Sequence, residues 1–260
     1  MIRALYSGRT GMSGQQLQLD TISNNLANVN TAGFKKSRAQ FEDLYYQEIR
    51  AMGVETADGG RVPGGIQVGL GVLPTSVQKI FTQGSLTETG NDLDIAIEGR
   101  GFFQVMRNGE EFYTRAGAFS RDQDGFIVTQ NGERLQPEFA LPPEAISINI
   151  DRSGVIQAKD AAQQVVATAQ LTLFDFINPG GLRAEGGNLF RPTDASGDPR
   201  EADPGIDGLG TTLQRFIEVS NVDVTEELVN LIVTQRAYEL NSKSIQTADQ
   251  ILEVANTLKR

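Results

Sequence analysis

Apolar residues recur at alternating spacings of three and four near the start of the 260-residue chain. The row comprises Leu5, Gly8, Met12, Gln15, Leu19, Ile22, Leu26 and Val29. This spacing is typical of the buried stripe of a coiled-coil-like helix. Gly33 follows the row, where a left-handed C-terminal cap is expected. The pattern predicts a first helix within residues 1–33.

A second row of the same spacing occupies the C-terminal end of the chain. It comprises Val224, Leu228, Leu231, Gln235, Tyr238, Ser242, Ile245, Ala248, Leu252 and Ala255. No Gly or Pro occurs after Ser220, and Asp223 with Glu226 forms a candidate N-terminal capping pair. The sequence therefore predicts a long helix over residues 220–260.

Between the helices, apolar and polar residues alternate with the period of a strand. Such runs occur at Ile66–Val72, Ile95–Ile97, Phe102–Val105, Phe126–Val128, Ile146–Ile150 and Leu171–Phe176. Turn pairs separate many of them, namely Asn108-Gly109, Asp124-Gly125, Asn131-Gly132 and Ser153-Gly154. We predict a β-rich domain over residues 73–219, joined to the first helix by an extended connecting segment over residues 34–72.

The predicted fold class is α+β, with long amphipathic helices at both termini pairing in a coiled-coil-like core and an irregular all-β domain between them. An isolated helix is marginal in water, so each apolar stripe needs a partner. That partner is either the other helix of the same subunit or the helices of further copies. The length of the two stripes favours an assembly of copies.

Composition disfavours most enzyme classes. The chain has no His, Cys or Trp, which excludes imidazole bases, Ser-His-Asp and Cys-His nucleophiles, thiolate redox chemistry and the usual zinc ligands. The net charge of −10 lies mainly in the middle of the chain, and such an acidic body argues against nucleic acid as a partner. No cofactor and no metal ion are predicted.

Four short motifs are candidates for a metal, catalytic or nucleotide site. Asp122–Gly125 resembles the start of a calcium loop but lacks the later ligands, so a hairpin turn is expected. Asn91–Asp94 offers paired carboxylates, for which a turn before a strand is the expected structure. Gly69-Leu70-Gly71 and Gly99-Arg100-Gly101 lack the third Gly of a dinucleotide loop. No motif indicates a catalytic site.

Four stretches carry a resemblance to a known family. They are Ser23–Lys36, rich in Asn, then Gln83–Phe103, Glu218–Val224 and Gln235–Lys243. In this order they resemble the bacterial flagellar rod and hook proteins. Two further stretches, Phe41–Gln47 and Gly65–Val72, are similar to the members that build the distal part of the rod, with the proximal rod as the nearest alternative.

The resemblance implies a structural subunit of a helical tube, with the terminal helices inside, the β domain outside and no catalytic residue. It places the subunit in the flagellar basal body, in a rod that spans the periplasm and reaches the outer membrane. No cleavable signal is visible at the N-terminus, and the resemblance implies export by the flagellar type III apparatus. Implied partners are further copies of the chain, the proximal rod and hook proteins, the bushing-like rings of peptidoglycan and outer membrane, and the rod cap.

The resemblance also assigns roles to residues. Candidate interface residues are Leu5, Met12, Leu19, Ile22, Asn25, Leu26, Asn28, Val29, Leu228, Leu231, Tyr238, Ile245 and Leu252. Phe41 and Tyr45 fit the spacing of an export motif, and a stiffness segment would include Gly53, Pro63, Gly64 and Gly65. Two other classes stay open, namely a secreted β-rich binding module and a peptidoglycan hydrolase that uses Asp92 or Asp94.

Overall fold

The computed structural model of the protein describes residues 2–50 and 64–257, which divide into two compact units. The helical unit contains the described residues within 1–26, 37–78 and 224–260. The β unit contains residues 27–36 and 79–223. Each unit is therefore built from segments that are far apart in the sequence.

The helical unit contains two long helices and four strands. They are α1 (Ile2–Ala27), β1 (Ser37–Asp43), β2 (Tyr46–Arg50), β3 (Ile66–Gly69), β4 (Val72–Lys79) and α2 (Val224–Thr257). Strand β1 pairs with β4, and β2 pairs with β3. Both predicted helices are confirmed, and α2 begins directly after the predicted capping residue Asp223.

Helix α1 ends at Ala27, well before the glycine that the sequence predicts as its cap. The reason is local, because the Asn25 side chain pairs with the backbone of Ser37 through two hydrogen bonds of 2.8 Å. Gly33 does have the left-handed φ of +70°, but it lies in the turn after the helix. A Cβ atom at Gly33 would lie 2.5 Å from the backbone nitrogen of Ala116, so the close approach requires glycine.

Helices α1 and α2 run antiparallel to each other. Gly8 faces Ile245, and Gly11 faces Asn241 one turn further along. At the other end of the pair, the Asn25 side chain contacts Glu227. The residue numbers on α2 fall as those on α1 rise, which defines the antiparallel direction and confirms the predicted pairing of the terminal helices.

The β unit contains sixteen strands among its described residues. They are β5 (Leu86–Glu88), β6 (Ile95–Glu98), β7 (Phe103–Arg107), β8 (Glu110–Thr114), β9 (Phe119–Arg121), β10 (Ile127–Thr129), β11 (Arg134–Leu135), β12 (Ser147–Ile150), β13 (Val155–Lys159), β14 (Val165–Gln170), β15 (Leu173–Asp175), β16 (Arg183–Gly186), β17 (Leu189–Arg191), β18 (Arg200–Ala202), β19 (Thr211–Gln214) and β20 (Phe216–Glu218). A short 3-10 turn spans Pro179–Gly181. The irregular all-β domain that the sequence predicts is confirmed.

The largest sheet of the β unit has seven strands in the order β16-β17-β8-β7-β11-β10-β9. A three-stranded sheet has the order β12-β13-β14, and the pairs β15-β18, β19-β6 and β20-β5 complete the unit. The four predicted turn pairs all join consecutive antiparallel strands. Strands β19 and β20 are the last of the unit, and they pair with its first two strands, β6 and β5.

Two apolar clusters form the core of the β unit. The larger is aliphatic with three Phe side chains, and Ile95, Phe103 and Leu173 are fully buried in it. The smaller is aromatic, and its ring pairs meet edge to face with centroids 4.9 to 6.1 Å apart. Burial in the smaller cluster raises the pKa of Tyr113 to about 12. No helix of the described residues has the length and hydropathy that a membrane span needs.

Candidate assembly surface

The line along which α1 and α2 meet consists of small and polar residues. A Cβ atom at Gly8 would lie 2.8 Å from Cγ1 of Ile245, so the Ile245 side chain packs directly on the backbone of α1. A Cβ atom at Gly11 would lie 3.0 Å from Nδ2 of Asn241. Glycine and polar residues bury less apolar area than a row of Leu or Ile would, and hydrophobic stabilisation scales with that area. We therefore expect a weak contact between the two helices of one subunit.

A buried polar pair fixes one end of this line. Asn25 is 1% exposed and Glu227 is 5% exposed, and Asn25 Nδ2 donates a hydrogen bond of 3.3 Å to Glu227 Oε1. A polar group buried between paired helices costs stability but specifies their register, because a shifted register leaves it without a partner. The pair therefore sets how α1 and α2 align.

The candidate interface residues differ in exposure. Ile22 and Asn25 are buried, while Leu5, Met12, Leu19, Leu26, Asn28, Val29, Leu231, Ile245 and Leu252 are half-buried. Leu228 and Tyr238 are exposed. Their role between subunits stays a prediction, because a single subunit contains no such contact.

Large apolar side chains of α2 lie outside the helix contact line. Val229, Ile232, Val233, Leu240, Ile251 and Val254 are each more than half exposed. At about 100° per residue, the first four share one face of the helix, a different face from that of Asn241 and Ile245, which contact α1. A helix with a second apolar face is normally buried on that face as well. This part of α2 therefore presents a surface suited to burial against further helices.

The sequence rows and the observed contacts between the helices coincide only in part. Gly8 and Ile245 belong to both, whereas Gly11, Asn25, Asn241 and Glu227 make contacts from outside the rows. Val229, Ile232 and Val233 lie outside the predicted row, and their i, i+3, i+4 spacing is the sequence signal of a second apolar face.

The candidate export motif lies on β1 and in the turn after it. Phe41 is 38% exposed and Tyr45 is 86% exposed, so both rings are accessible in the folded subunit. Gly64 and Gly65 precede β3, and Gly64 has open space around it. Gly53 and Pro63 lie outside the described residues, as does the rest of the candidate stiffness segment between them.

The acidic motifs have structural partners. The Asp94 carboxylate accepts hydrogen bonds from Thr89 Oγ1 at 2.5 Å and from Asn91 Nδ2 at 3.0 Å. Asp92 forms an ion pair with Arg215 at 2.7 Å. The turn at Asp122–Gly125 connects β9 to β10, as expected for a hairpin. Within residues 2–50 and 64–257, no group of three or more acidic residues is placed to hold a metal ion.

A buried charge cluster in the β unit is absent from the sequence predictions. Lys35, Arg115 and Glu218, here called the buried triad, are 1%, 5% and 1% exposed. Glu218 Oε1 lies 2.6 Å from Lys35 Nζ, and Glu218 Oε2 lies 2.8 Å from Arg115 Nε. The triad joins residues up to 183 positions apart, so no local sequence pattern could indicate it.

The two cations set the ionisation of the carboxylate. Burial alone would raise the pKa of Glu218, but the charges of Arg115 and Lys35, with hydrogen bonds from Lys35 and Gly84, hold this pKa below its ordinary value. Burial lowers the pKa of Lys35, and the Arg115 charge acts in the same direction against the attraction of Glu218. Glu218 is therefore ionised at neutral pH.

Comparison with known proteins places these features in a family. Profiles described as "Flagella basal body rod protein", "Flagellar hook protein FlgE/F/G D1 domain" and "Flagellar basal body rod FlgEFG protein C-terminal" match residues 5–35, 96–158 and 213–258. The flagellar basal-body rod protein FlgG of Caulobacter vibrioides is 47% identical over 261 residues, covering 99% of this chain and all of the relative. The chain belongs to the flagellar basal-body rod protein family.

Similarity to this rod protein family extends across distant bacteria. The proteins named FlgG in Borreliella burgdorferi and Bacillus subtilis are 44% and 39% identical, and each alignment covers both chains completely. The similarity therefore includes both helices and the β unit together. It also covers residues 36–95 and 159–212, which lie between the three matched segments.

Proposed function

We propose that this rod family member is the structural subunit of the distal rod of the flagellum, where copies assemble into a rigid helical tube that transmits torque from the motor to the hook. Full-length similarity to proteins named FlgG carries this proposal. The function is mechanical, so it requires neither a catalytic residue nor a cofactor.

The exposed apolar side chains of α2 support assembly from helix contacts. The line between α1 and α2 is small and polar, whereas Val229, Ile232 and Val233 are exposed. The exposed apolar side chains of α2 are therefore available for burial against neighbouring subunits. A head-to-tail contact repeated by a screw operation produces an open filament, which is the symmetry that a rod needs.

The remaining partners follow from the place of the distal rod. The subunit would contact the proximal rod and hook proteins at the two ends, the rod cap during growth and the type III apparatus during export. The acidic residues outside the terminal helices would lie towards the rings of the peptidoglycan layer and outer membrane. Few adhesive contacts are needed there, because the rod turns inside the rings.

Deletion of the gene in its own bacterium tests the proposal. We expect non-motile cells whose basal bodies end before the distal rod in electron micrographs, and restoration of both features by the intact gene. Antibody labelling of a tagged chain should mark the rod between the proximal rod and the hook. Labelling of the hook or the proximal rod instead would assign the chain to another axial position in the same family.

The isolated subunit should have mobile terminal helices. The α1–α2 line buries less apolar area than a row of Leu or Ile would, so we expect fast amide hydrogen exchange in residues 2–27 and 224–257 of dilute monomer, on the scale of local opening. Strands β7 and β8 should exchange slowly in the same sample, which provides an internal control. Strong protection of both helices in a verified monomer would contradict the weak contact.

A further prediction concerns the segment before β3. Residues 51–62 contain Gly53, Gly59 and Gly60 and lie outside the described residues. If this segment wedges between subunits, its deletion should leave rods that assemble but are curved or compliant. Electron microscopy would compare the curvature of deletion and parent rods. Rods as straight as the parent would show that the segment is only a linker.

A further inference from the structure

The buried triad joins the two ends of the β unit. Lys35 belongs to the first ten residues of the unit, and Glu218 ends its last strand, β20. Arg115 directly follows β8, at the middle of the unit. Among the described residues, the Glu218 carboxylate is the only anion in contact with either cation. Glu218 follows both cations in the sequence, and its carboxylate is the counter-ion of both.

The other groups around the cations are neutral. Lys35 Nζ donates to the carbonyl oxygen of Thr82 at 2.8 Å. The Arg115 guanidinium donates to the carbonyl oxygens of Gly101 at 2.6 Å and Gly99 at 2.8 Å. Carbonyl oxygens satisfy the donors but do not cancel the charge. Without Glu218, the Arg115 guanidinium would be enclosed at low dielectric without a counter-ion, and Lys35 would either be charged beside it or have to lose its proton, both of which are unfavourable.

The Arg115 side chain bonds to the central strands, so an uncompensated charge on it would affect their packing. Its guanidinium contacts the carbonyl group of Ile97 in β6 and those of Gly99 and Gly101 in the connection between β6 and β7. These strands form the aliphatic core with Ile95, Ile97 and Phe103. The core cannot pack in its final form without enclosing the guanidinium, so closure of the core depends on charge compensation.

Further bonds fasten the end of the unit to its beginning. The carbonyl oxygen of Glu218 accepts a hydrogen bond of 2.8 Å from the backbone nitrogen of Gly33. Asn221 Oδ1 accepts from the backbone nitrogen of Lys36 at 2.7 Å, and Asn221 Nδ2 donates to the carbonyl oxygen of Ile80 at 2.8 Å. Docking of residues 218–221 therefore forms these hydrogen bonds and the two ion pairs of the triad together.

We propose that Glu218 is the closing residue of the β unit, which encloses Lys35 and Arg115 only when strand β20 has docked and therefore stays open on a chain that lacks its C-terminal part. The inference rests on the proposed function in one respect, because an incomplete chain matters for a subunit that is exported unfolded. It adds to that function a control on when the exported chain becomes compact.

Refolding of the full chain from denaturant tests the order of closure. Pulsed hydrogen exchange would time the protection of amides in β7 and β8 against those in β20. We expect all three strands to become protected in one phase. In the apolar triple variant Lys35→Met, Arg115→Met, Glu218→Leu, β7 and β8 should become protected about tenfold or more before β20, because no charge delays them. Early protection of β7 and β8 in the parent would overturn the proposal, as would a single phase in the triple variant.

Native-state exchange of Glu218→Gln provides a second measurement if the triple variant does not fold. The neutral amide keeps the size of the side chain but leaves both cations uncompensated. We expect amides in residues 33–36, 80–84 and 103–114 to lose protection together, by on the order of 10²- to 10³-fold. Loss confined to amides beside residue 218 would overturn the proposal. Glu110→Gln, in an exposed ion pair with Arg191, is the matched control and should change little.

These measurements use purified subunit and need no rod. A single refolding phase that separates in the triple variant would stand even if labelling placed the chain elsewhere in the axial structure. Conversely, a correctly placed distal rod subunit that refolds with β7 and β8 first would leave the proposed function intact and reject Glu218 as the closing residue.

Discussion

Replacing Val233 by Asp should abolish rod formation and motility while leaving the subunit folded. Val233 is 62% exposed, so the new carboxylate is solvated in the monomer. In a helix-packed rod it would be buried without a partner, at a cost of about 3–5 kcal/mol at every repeat of the contact. Swarming assays and electron microscopy of basal bodies would measure the loss. Circular dichroism of the purified variant should match that of the parent.

A matched control separates the apolar surface from the charge itself. Gln246→Asp introduces the same charge on an exposed polar position of the same helix. We expect this variant to retain rods and most motility, because no apolar contact surface is lost. Normal rods in Val233→Asp would remove this part of α2 from the interface. Equal loss in both variants would show that α2 tolerates no added negative charge, whatever its position.

The sequence predicts the elements of the fold well because their signals are local. The terminal helices follow from apolar spacing, and the hairpins follow from turn pairs such as Asn108-Gly109, where both residues have positive φ. The end of α1 is the clearest exception. It depends on the Asn25 side chain, which bonds to the backbone of Ser37 and so requires the chain to turn back after Ala27. Spacing alone does not contain that information.

The face that each helix turns to its partner is less predictable. Apolar spacing identifies positions that need burial, but it does not say whether the burial occurs within one subunit or between copies. Here the polar pair Asn25 and Glu227 lies inside the subunit, while Ile232 and Val233 are exposed. The contact within the subunit is thus specified by polar register, and apolar area is left for assembly. The same row of apolar residues can be buried within one subunit or between copies, and its spacing does not distinguish the two.

The buried triad could not be predicted, because its three residues meet only through the complete topology of the β unit. Each is an ordinary charged residue in its local sequence, and charged residues are usually exposed. Strand pairing of β20 with β5 and of β19 with β6 brings Glu218 to the other two. The triad therefore depends on pairing between strands that are far apart in the sequence, whereas a helix or hairpin depends on local residues.

Replacing Arg115 by Met should destabilise the β unit far more than replacing Lys35 by Met. Both variants leave Glu218 with one cation, so the difference lies in the other bonds. Arg115→Met removes the donors to Gly99 and Gly101 inside the core, and we expect a loss of about 3–5 kcal/mol in the free energy of unfolding. Lys35→Met loses one carbonyl contact, so a loss of about 1–2 kcal/mol is expected.

Urea unfolding followed by circular dichroism would measure both losses, with slopes compared so that stability is separated from changes in compactness. Arg191→Met, which removes an exposed ion pair with Glu110, serves as the control and should cost no more than about 1 kcal/mol. The relative losses of the two variants show which interaction stabilises the triad. If Lys35→Met were as damaging as Arg115→Met, the triad would depend on the number of its charges. If Arg115→Met alone is severe, the triad depends on the guanidinium that spans the connection between β6 and β7, with Glu218 as its counter-ion.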